Sequence, residues 1–227
     1  KRKTSASRAK HEEKIADAAR SKEHMNFRSD NTASAAAEIL AALTAVNEKP
    51  TPAYGDDPWS RKLDEAFSAL FERDVRVFTV ASGTAANAIA LASVTPPWGA
   101  ILCHREAHVE CDECGAPEFF SNGAKLVLMD GDAAKVTPEA LREAIARNAR
   151  GIHSVTPAVI SISQTTERGA IYCPEEVAAL GDIARGAGLR LHMDGARFGN
   201  AIAALGCKPA EVTWRAGVDL LSFGATK

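Results

Sequence analysis

The sequence has no apolar run approaching the ~20 residues of a membrane-spanning helix, although 46% of its 227 residues are hydrophobic. It has no excess of charge of one sign: 27 Lys and Arg face 29 Asp and Glu, a formal net charge of -2. Without a basic balance, neither nucleic acid nor an anionic membrane is an expected partner. The start lacks the apolar core of a secretory signal. The five cysteines are odd in number and scattered, which suits reduced thiols in a cytoplasmic protein better than a disulfide framework. No internal repeat or low-complexity block is present. Also missing are the Gly-Lys-Ser/Thr of a P-loop and the three spaced glycines of a dinucleotide fingerprint. What remains is apolar residue for a sizeable core and 25% charged residues for an ordinary surface.

The stretch Arg190 to Lys227 organises the rest. A short run, Leu189 to Met193, is polar at alternate positions and predicts a buried strand; it ends in Asp194, Gly195, Ala196 and Arg197. A second run, Val218 to Phe223, ends in Gly224-Ala225-Thr226-Lys227. Open α/β sheets bind ligands outside the carboxyl ends of their strands. An acid and a lysine delivered to one such edge suit pyridoxal phosphate (PLP), with the lysine forming a Schiff base and the carboxylate keeping the ring nitrogen protonated. The plainer alternative is a strand that happens to end in Asp and a solvated lysine.

The remaining pattern alternates strands with helices. Residues Lys1 to His24 are polar and charged, an extension outside the fold, with Met25 as a natural start. Ser29 and Asp30 read as caps before a helix over Ala33 to Asn47. Tyr54 sits in the turn Ala53 to Pro58, and a helical period runs from Trp59 to Glu72. Val75 to Val80 alternates as a strand and runs into Ser82-Gly83-Thr84, which opens a small-residue helix through Val94. That junction is either a phosphate cup at a helix start or a plain N-cap. Ala100 to Cys103 predicts a strand; a helix beginning near His104 would place His108, Cys111 and Cys114 on one face. Zinc is one reading of that trio; buried small cysteines and a packing or ring-stacking histidine are the others. Strands at Lys125 to Met129 and Ala158 to Ser163, and helices from Pro138 to Arg147 and Pro174 to Ala187, complete the series. The expectation is an α/β fold with a mostly parallel sheet flanked by helices.

Taken together, the motifs resemble the threonine aldolases, in the aminotransferase-like fold type I group of PLP enzymes. The resemblance runs from about Met25 to Lys227. It is carried by Ala-Tyr-Gly-Asp-Asp, Gly-Thr-Ala-Ala-Asn, Ala-His-Val-Glu, Asp-Glu-Cys-Gly-Ala-Pro-Glu-Phe-Phe and His-Met-Asp-Gly-Ala-Arg-Phe, in that order. It implies a PLP-binding large domain over 25–227, cut at the Schiff-base lysine, with relatives continuing into a smaller C-terminal domain. Lys227 matches the lysine that holds the cofactor, and Asp194 the partner of the pyridinium nitrogen. Ser82, Gly83 and Thr84 match the phosphate turn, and Gln164 also falls on the cofactor side. His108 matches a histidine stacked on the ring, and His153 a second active-site histidine. Arg197 and Ser29 match groups that hold the substrate, and Tyr54 lies in a segment that reaches a neighbouring subunit's site. No metal is implied. One departure is that many members carry Glu-Asn-Thr-His where this chain has Ser163-Gln164-Thr165-Thr166.

The implied reaction is retro-aldol cleavage of threonine, allo-threonine and related β-hydroxy-α-amino acids to glycine and an aldehyde, in a homo-oligomer, dimer or tetramer. His108 or His153 would take the β-hydroxyl proton. Two rivals stand beside it: another PLP reaction on the same scaffold, such as β-elimination or hydroxymethyl transfer, and a metal-binding or structural α/β module.

Overall fold

The computed structural model describes residues 29–226. The polar extension over 1–24, Met25 and Lys227 therefore lie outside the described residues. Two units are separated between residues 49 and 50, and each is taken by itself.

In the first unit, Ser29 caps a 3-10 turn over Asp30–Thr32, its Oγ accepting the Asn31 N–H at 3.2 Å. Helix α1, Ala37–Val46, is alanine-rich and starts at Ala36 with no side-chain cap. Its Ile39, Leu40 and Leu43 are exposed.

The second unit is built on five parallel strands: β1 Gly99–His104, β2 Lys125–Met129, β3 Thr156–Ser163, β4 Arg190–Gly195 and β5 Leu220–Phe223. Their order is β2-β1-β3-β4-β5. All four pairings are parallel, so the predicted α/β class holds. Parallel neighbours need crossover segments, which here are helical. Helices in this unit are α2 Pro58–Phe71, α3 Gly83–Val94, α4 His108–Cys111, α5 Ala116–Phe120, α6 Pro138–Arg147, α7 Pro174–Gly186 and α8 Phe198–Leu205. Their starts follow local rules. Asp57 Oδ1 accepts the N–H groups of Trp59 and Ser60, both at 2.9 Å, with Pro58 in the first turn of α2. Thr137 does the same for α6 through Ala140.

The strand period of two divides the sheet's faces. Leu102, Ile160, Ile162, Leu191 and Met193 join the larger core with Leu141 of α6 and Val177 and Leu180 of α7. Ile101, Cys103 and Val159 belong to a second core with Leu91 of α3. Continuing Val159's alternation brings Ser161 and Ser163 to that second face. His192, Asp194 and Ser222 lie there too, as the bonds Ser161–His192–Ser222 and the reach of Asp194 to α3 show. All five are buried. A polar stripe thus runs across three strands under α3. Beyond β5, Phe67 and Phe71 of α2 meet Phe198 and Phe223, with ring centroids 5.1 to 6.4 Å apart. Such pairs add about 0.5–1.5 kcal/mol each beyond burial.

Two sequence expectations change. Val75 to Val80 forms no ladder. Two of its amides donate to α2: Val75 N–H to Ser68 Oγ at 3.1 Å and Val77 N–H to Asp64 Oδ1 at 2.8 Å. The helix expected through Cys114 stops at Cys111, where Asp112 leaves helical geometry at φ -130° and ψ 12°, and Cys114 at φ 53° begins the turn into α5. Both cysteines are exposed rather than buried.

Candidate active site

The strand order sets the place. From β1 the chain moves outward to β2, then returns past β1 to β3 and continues to β4 and β5. Connections leaving the carboxyl ends of β1 and β3 therefore diverge, which opens a crevice between them. Residues after those two strands meet across it. Glu167 Oε1 accepts the backbone N–H of His108 at 2.9 Å and the Ser163 hydroxyl at 2.7 Å.

At the centre is a four-residue chain. Asp194, 7% exposed, ends β4; Asn87, 1% exposed, is in the second turn of α3; Glu113, 3% exposed, follows α4. The Asn87 amide donates both ways, to Asp194 Oδ2 at 2.8 Å and to Glu113 Oε1 at 2.7 Å. Glu113 Oε1 also lies 2.8 Å from His108 Nδ1. Asp194 Oδ1 accepts the Ala196 N–H at 3.0 Å, which folds the acid back over its own turn. Burial lifts the Glu113 carboxyl above the usual carboxylate range, against the lowering effect of its bonds to Asn87 and His108. The His108 side chain keeps 41% of its surface exposed, so one ring edge faces outward from this buried cluster.

Asn87 also ties the acid to a helix start. Gly83 opens α3 one helical turn earlier, about 6 Å along the axis. Ser82 caps it, Oγ accepting the Ala85 N–H at 3.2 Å. The first N–H groups of a helix have no intrahelical acceptor and carry the positive end of its dipole. A Cβ built on Gly83 would meet nothing within 4 Å, so the space beside these groups is open. On the other flank, Gly224 N–H donates to Gly195 O at 3.0 Å, and a Cβ there would fall 2.4 Å from Ala196 O. The backbone that leads on from β5 is thereby pressed against the turn that carries Asp194.

The arrangement suits a cofactor with an anionic group for the helix start and a basic ring nitrogen for Asp194. Two buried polar atoms have no hydrogen-bond partner among the described residues and border the same cluster, Asn87 Oδ1 and Glu113 Oε2. His108, Glu113 and Asp194 also place ligand-type atoms within 4.8 Å of one another. Asn87 already donates to both carboxylates, so the grouping is a hydrogen-bonded network. The cysteines of the zinc reading have no place in it. A shallow cleft of about 490 Å³ opens near the ends of β1 and β2, lined by His104, Arg105, Asp130 and Thr137 among others. Its main charges are paired with each other, Arg105 with Asp130, and it contains neither Asp194 nor His108.

Of the residues singled out from sequence, Ser82, Gly83, Thr84, His108 and Asp194 gather around this cluster. Arg197 follows Asp194 by three residues and is the N-cap of α8, half-buried. Ser29 lies in the first unit, where its observed role is capping. Tyr54 is fully exposed at φ 62°. Lys227 lies outside the described residues. His153 and Gln164 are placed differently from these. His153 closes a 3-10 turn three residues before β3. A parallel sheet puts strand starts and strand ends at opposite edges, and eight-residue β3 spans roughly 23 Å. His153 therefore stands across the sheet from Asp194 of the same chain. Gln164 is fully buried, with Oε1 accepting the Tyr172 N–H at 3.0 Å and Nε2 donating to Tyr172 O at 2.8 Å. Its side chain clasps its own loop, while its backbone N–H donates to Asp194 O at 2.8 Å.

Sequence reading alone passed over Asn87, Glu113 and Glu167. The first two stand inside the quoted Gly-Thr-Ala-Ala-Asn and Asp-Glu-Cys-Gly motifs. The available signal was a polar amide in an otherwise apolar helix and an acid five residues after His108.

Known proteins share the fold and much of the sequence. The Leishmania major threonine aldolase structure superposes with a TM-score of 0.81 at 28% identity, covering 87% of this chain and 57% of that one. A Mycobacterium tuberculosis N-succinyldiaminopimelate aminotransferase, at 21% identity and a TM-score of 0.50, shares the fold alone. In sequence, the low-specificity L-threonine aldolase of Pseudomonas aeruginosa is 48% identical over 201 residues, 88% of this chain and 58% of that relative. The counterpart in Saccharomyces cerevisiae is 28% identical over 183 residues, 80% of this chain and 46% of that relative. The chain thus spans less than two thirds of these relatives' length. The beta-eliminating lyase model matches residues 26–227, which takes in every element of the site above. The chain belongs to the beta-eliminating lyase family.

Proposed function

We propose that the protein containing this chain is a PLP-dependent threonine aldolase, which splits L-threonine, L-allo-threonine and related β-hydroxy-α-amino acids into glycine and an aldehyde. The observation that carries this reading is the Asn87 bridge. It joins the acid at the end of β4 to the histidine after β1 and stands one turn from the start of α3. The named relatives at 48% and 28% identity support the same activity.

Ser82, Gly83 and Thr84 would receive the cofactor phosphate on the helix start. Asp194 would accept a hydrogen bond from the protonated ring nitrogen, held in place by Ala196 and Asn87. When bound, PLP would supply the aldehyde that captures amines and an electron-poor ring that takes up the electron pair of the broken bond. His108 would remove the β-hydroxyl proton at the outward edge of its ring. Arg197 would hold the substrate carboxylate through its guanidinium fork, and Ser29 would add a hydroxyl on the substrate side. Lys227, four residues beyond β5, would anchor the cofactor. Tyr54, exposed in this chain, would act at a neighbouring subunit of a homo-oligomer. His153, at the far edge, has no part in this site of the same chain. A cytoplasmic setting belongs to the reading, consistent with five cysteines that form no disulfide.

The family model is described by β-elimination, so that reaction is the second reading. Assaying acetaldehyde from threonine against pyruvate from serine on the full-length enzyme separates the two. Lys227→Ala is expected to remove the cofactor's visible absorbance and turnover together. Wild-type aldehyde release by that variant would sink the reading.

A further inference from the structure

Glu113 has no role in the chemistry as written above, and the geometry gives it one. It is almost wholly buried, yet it meets two polar side chains through a single oxygen, His108 Nδ1 at 2.8 Å and Asn87 Nδ2 at 2.7 Å. With Glu113 ionised, Oε1 can only accept, and Asn87 is a donor there. The remaining partner must then give a hydrogen, which places the proton of a neutral His108 on Nδ1. Its Nε2 then carries the lone pair. The His108 backbone is pinned separately by Glu167, so main chain and ring have different anchors.

We infer that Glu113 is a positioning residue that sets the tautomer and orientation of His108, leaving Nε2 as the basic nitrogen toward the substrate. The inference rests on the aldolase reading for the base's task, but not for the tautomer itself. Asn87 extends the arrangement to Asp194, so the ring nitrogen's partner and the base's partner share one amide. A base oriented by a buried acid is a general device for placing a proton acceptor. Here the orienting acid is five residues from the base in sequence, on the turn that leaves α4.

The test uses full-length holoenzyme with labelled histidine nitrogens, and His108→Asn identifies the His108 signals in solid-state spectra. Wild type should show a protonated Nδ1 and a bare Nε2 at neutral pH. Glu113→Gln keeps the shape, drops the charge and brings an N–H donor that can face Nδ1; it should move the ring toward the Nε2–H form that free histidine prefers. Turnover of threonine should fall about 10- to 100-fold, mostly in kcat, with the cofactor absorbance retained. In a His108→Asn background, Glu113→Gln should cost less than about threefold, because its effect travels through the ring. If Glu113→Gln fails to fold, Glu113→Asp, with its carboxylate withdrawn by one methylene, should show the same change of tautomer. An unchanged tautomer, or equal losses in both backgrounds, overturns the inference. A wild-type enzyme with the expected tautomer but no aldehyde release would overturn the aldolase reading alone.

Discussion

His192 shows what a single side chain can cost this fold. It is fully buried between Ser161 Oγ, 2.9 Å from Nδ1, and Ser222 Oγ, 3.0 Å from Nε2. Burial pulls it down to about 4 from an ordinary 6.5, outweighing the opposing pull of Asp194. Because the folded value is the lower one, the unfolded chain binds the extra proton between those two pH values. Stability therefore falls as pH drops from about 6.5 to about 4 and is unaffected by this group above that window. The full swing is roughly 3 kcal/mol. Denaturant titrations at pH 7 and pH 4.5 should show the loss in wild type and a clearly smaller one in His192→Asn. Equal losses would remove His192 as the cause. The residue scale also shows what sequence could reveal. The sheet-edge positions of Asp194 and His108 were legible because one ends a strand and the other comes soon after one. Glu113 and Asn87 were not, since their importance is a meeting of α3 with the turn after α4, and nothing local in either segment announces it.

Among elements, the close approach after β5 gives the sharpest expectation. A methyl on Gly224 would lie 2.4 Å from Ala196 O and 2.7 Å from its carbonyl carbon, both backbone atoms that cannot rotate away. Gly224→Ala should therefore destabilise by about 1–3 kcal/mol, as overpacking does. It should also weaken cofactor binding by displacing the Asp194 turn, measurable as a lower melting midpoint and a higher cofactor dissociation constant. An unchanged dissociation constant would separate that turn from the site. Strands and most helices were readable from alternation and caps, because period and capping are local. The exception is instructive. Val75 to Val80 has a genuine strand period but pairs with no strand among the described residues, and the N–H groups of Val75 and Val77 donate to Ser68 and Asp64 of α2. The edge on which His153 lies was not legible for a different reason: proximity to a strand in sequence says nothing of which end of the sheet is meant until the strand direction is known.

For the molecule as a whole, the site is assembled from distant pieces. It draws on the start of α3, the segments after β1 and β3, and the end of β4. A ligand held by all of them couples elements that otherwise meet through the sheet. PLP at about 100 times its dissociation constant should stabilise the folded enzyme by roughly 2.7 kcal/mol, a rise of about 5–11 °C for a domain of this size. Scanning calorimetry of cofactor-stripped and reloaded enzyme measures it, and coincident midpoints would argue against a shared binding site. The family-level resemblance carried the family and the fold class. It did not carry the loop clasp of Gln164, which depends on Tyr172 arriving beneath it.

One amide holds two acids apart at the centre of this protein. Asn87 donates to both Glu113 and Asp194 from the buried side of a helix. Spontaneous hydrolysis of that side chain, the common chemical ageing of asparagine, would leave three carboxylates crowded where two were reconciled. The shelf life of a stored preparation would then hang on a single carbon–nitrogen bond, shielded by the helical backbone that keeps its neighbour's nitrogen from attacking it.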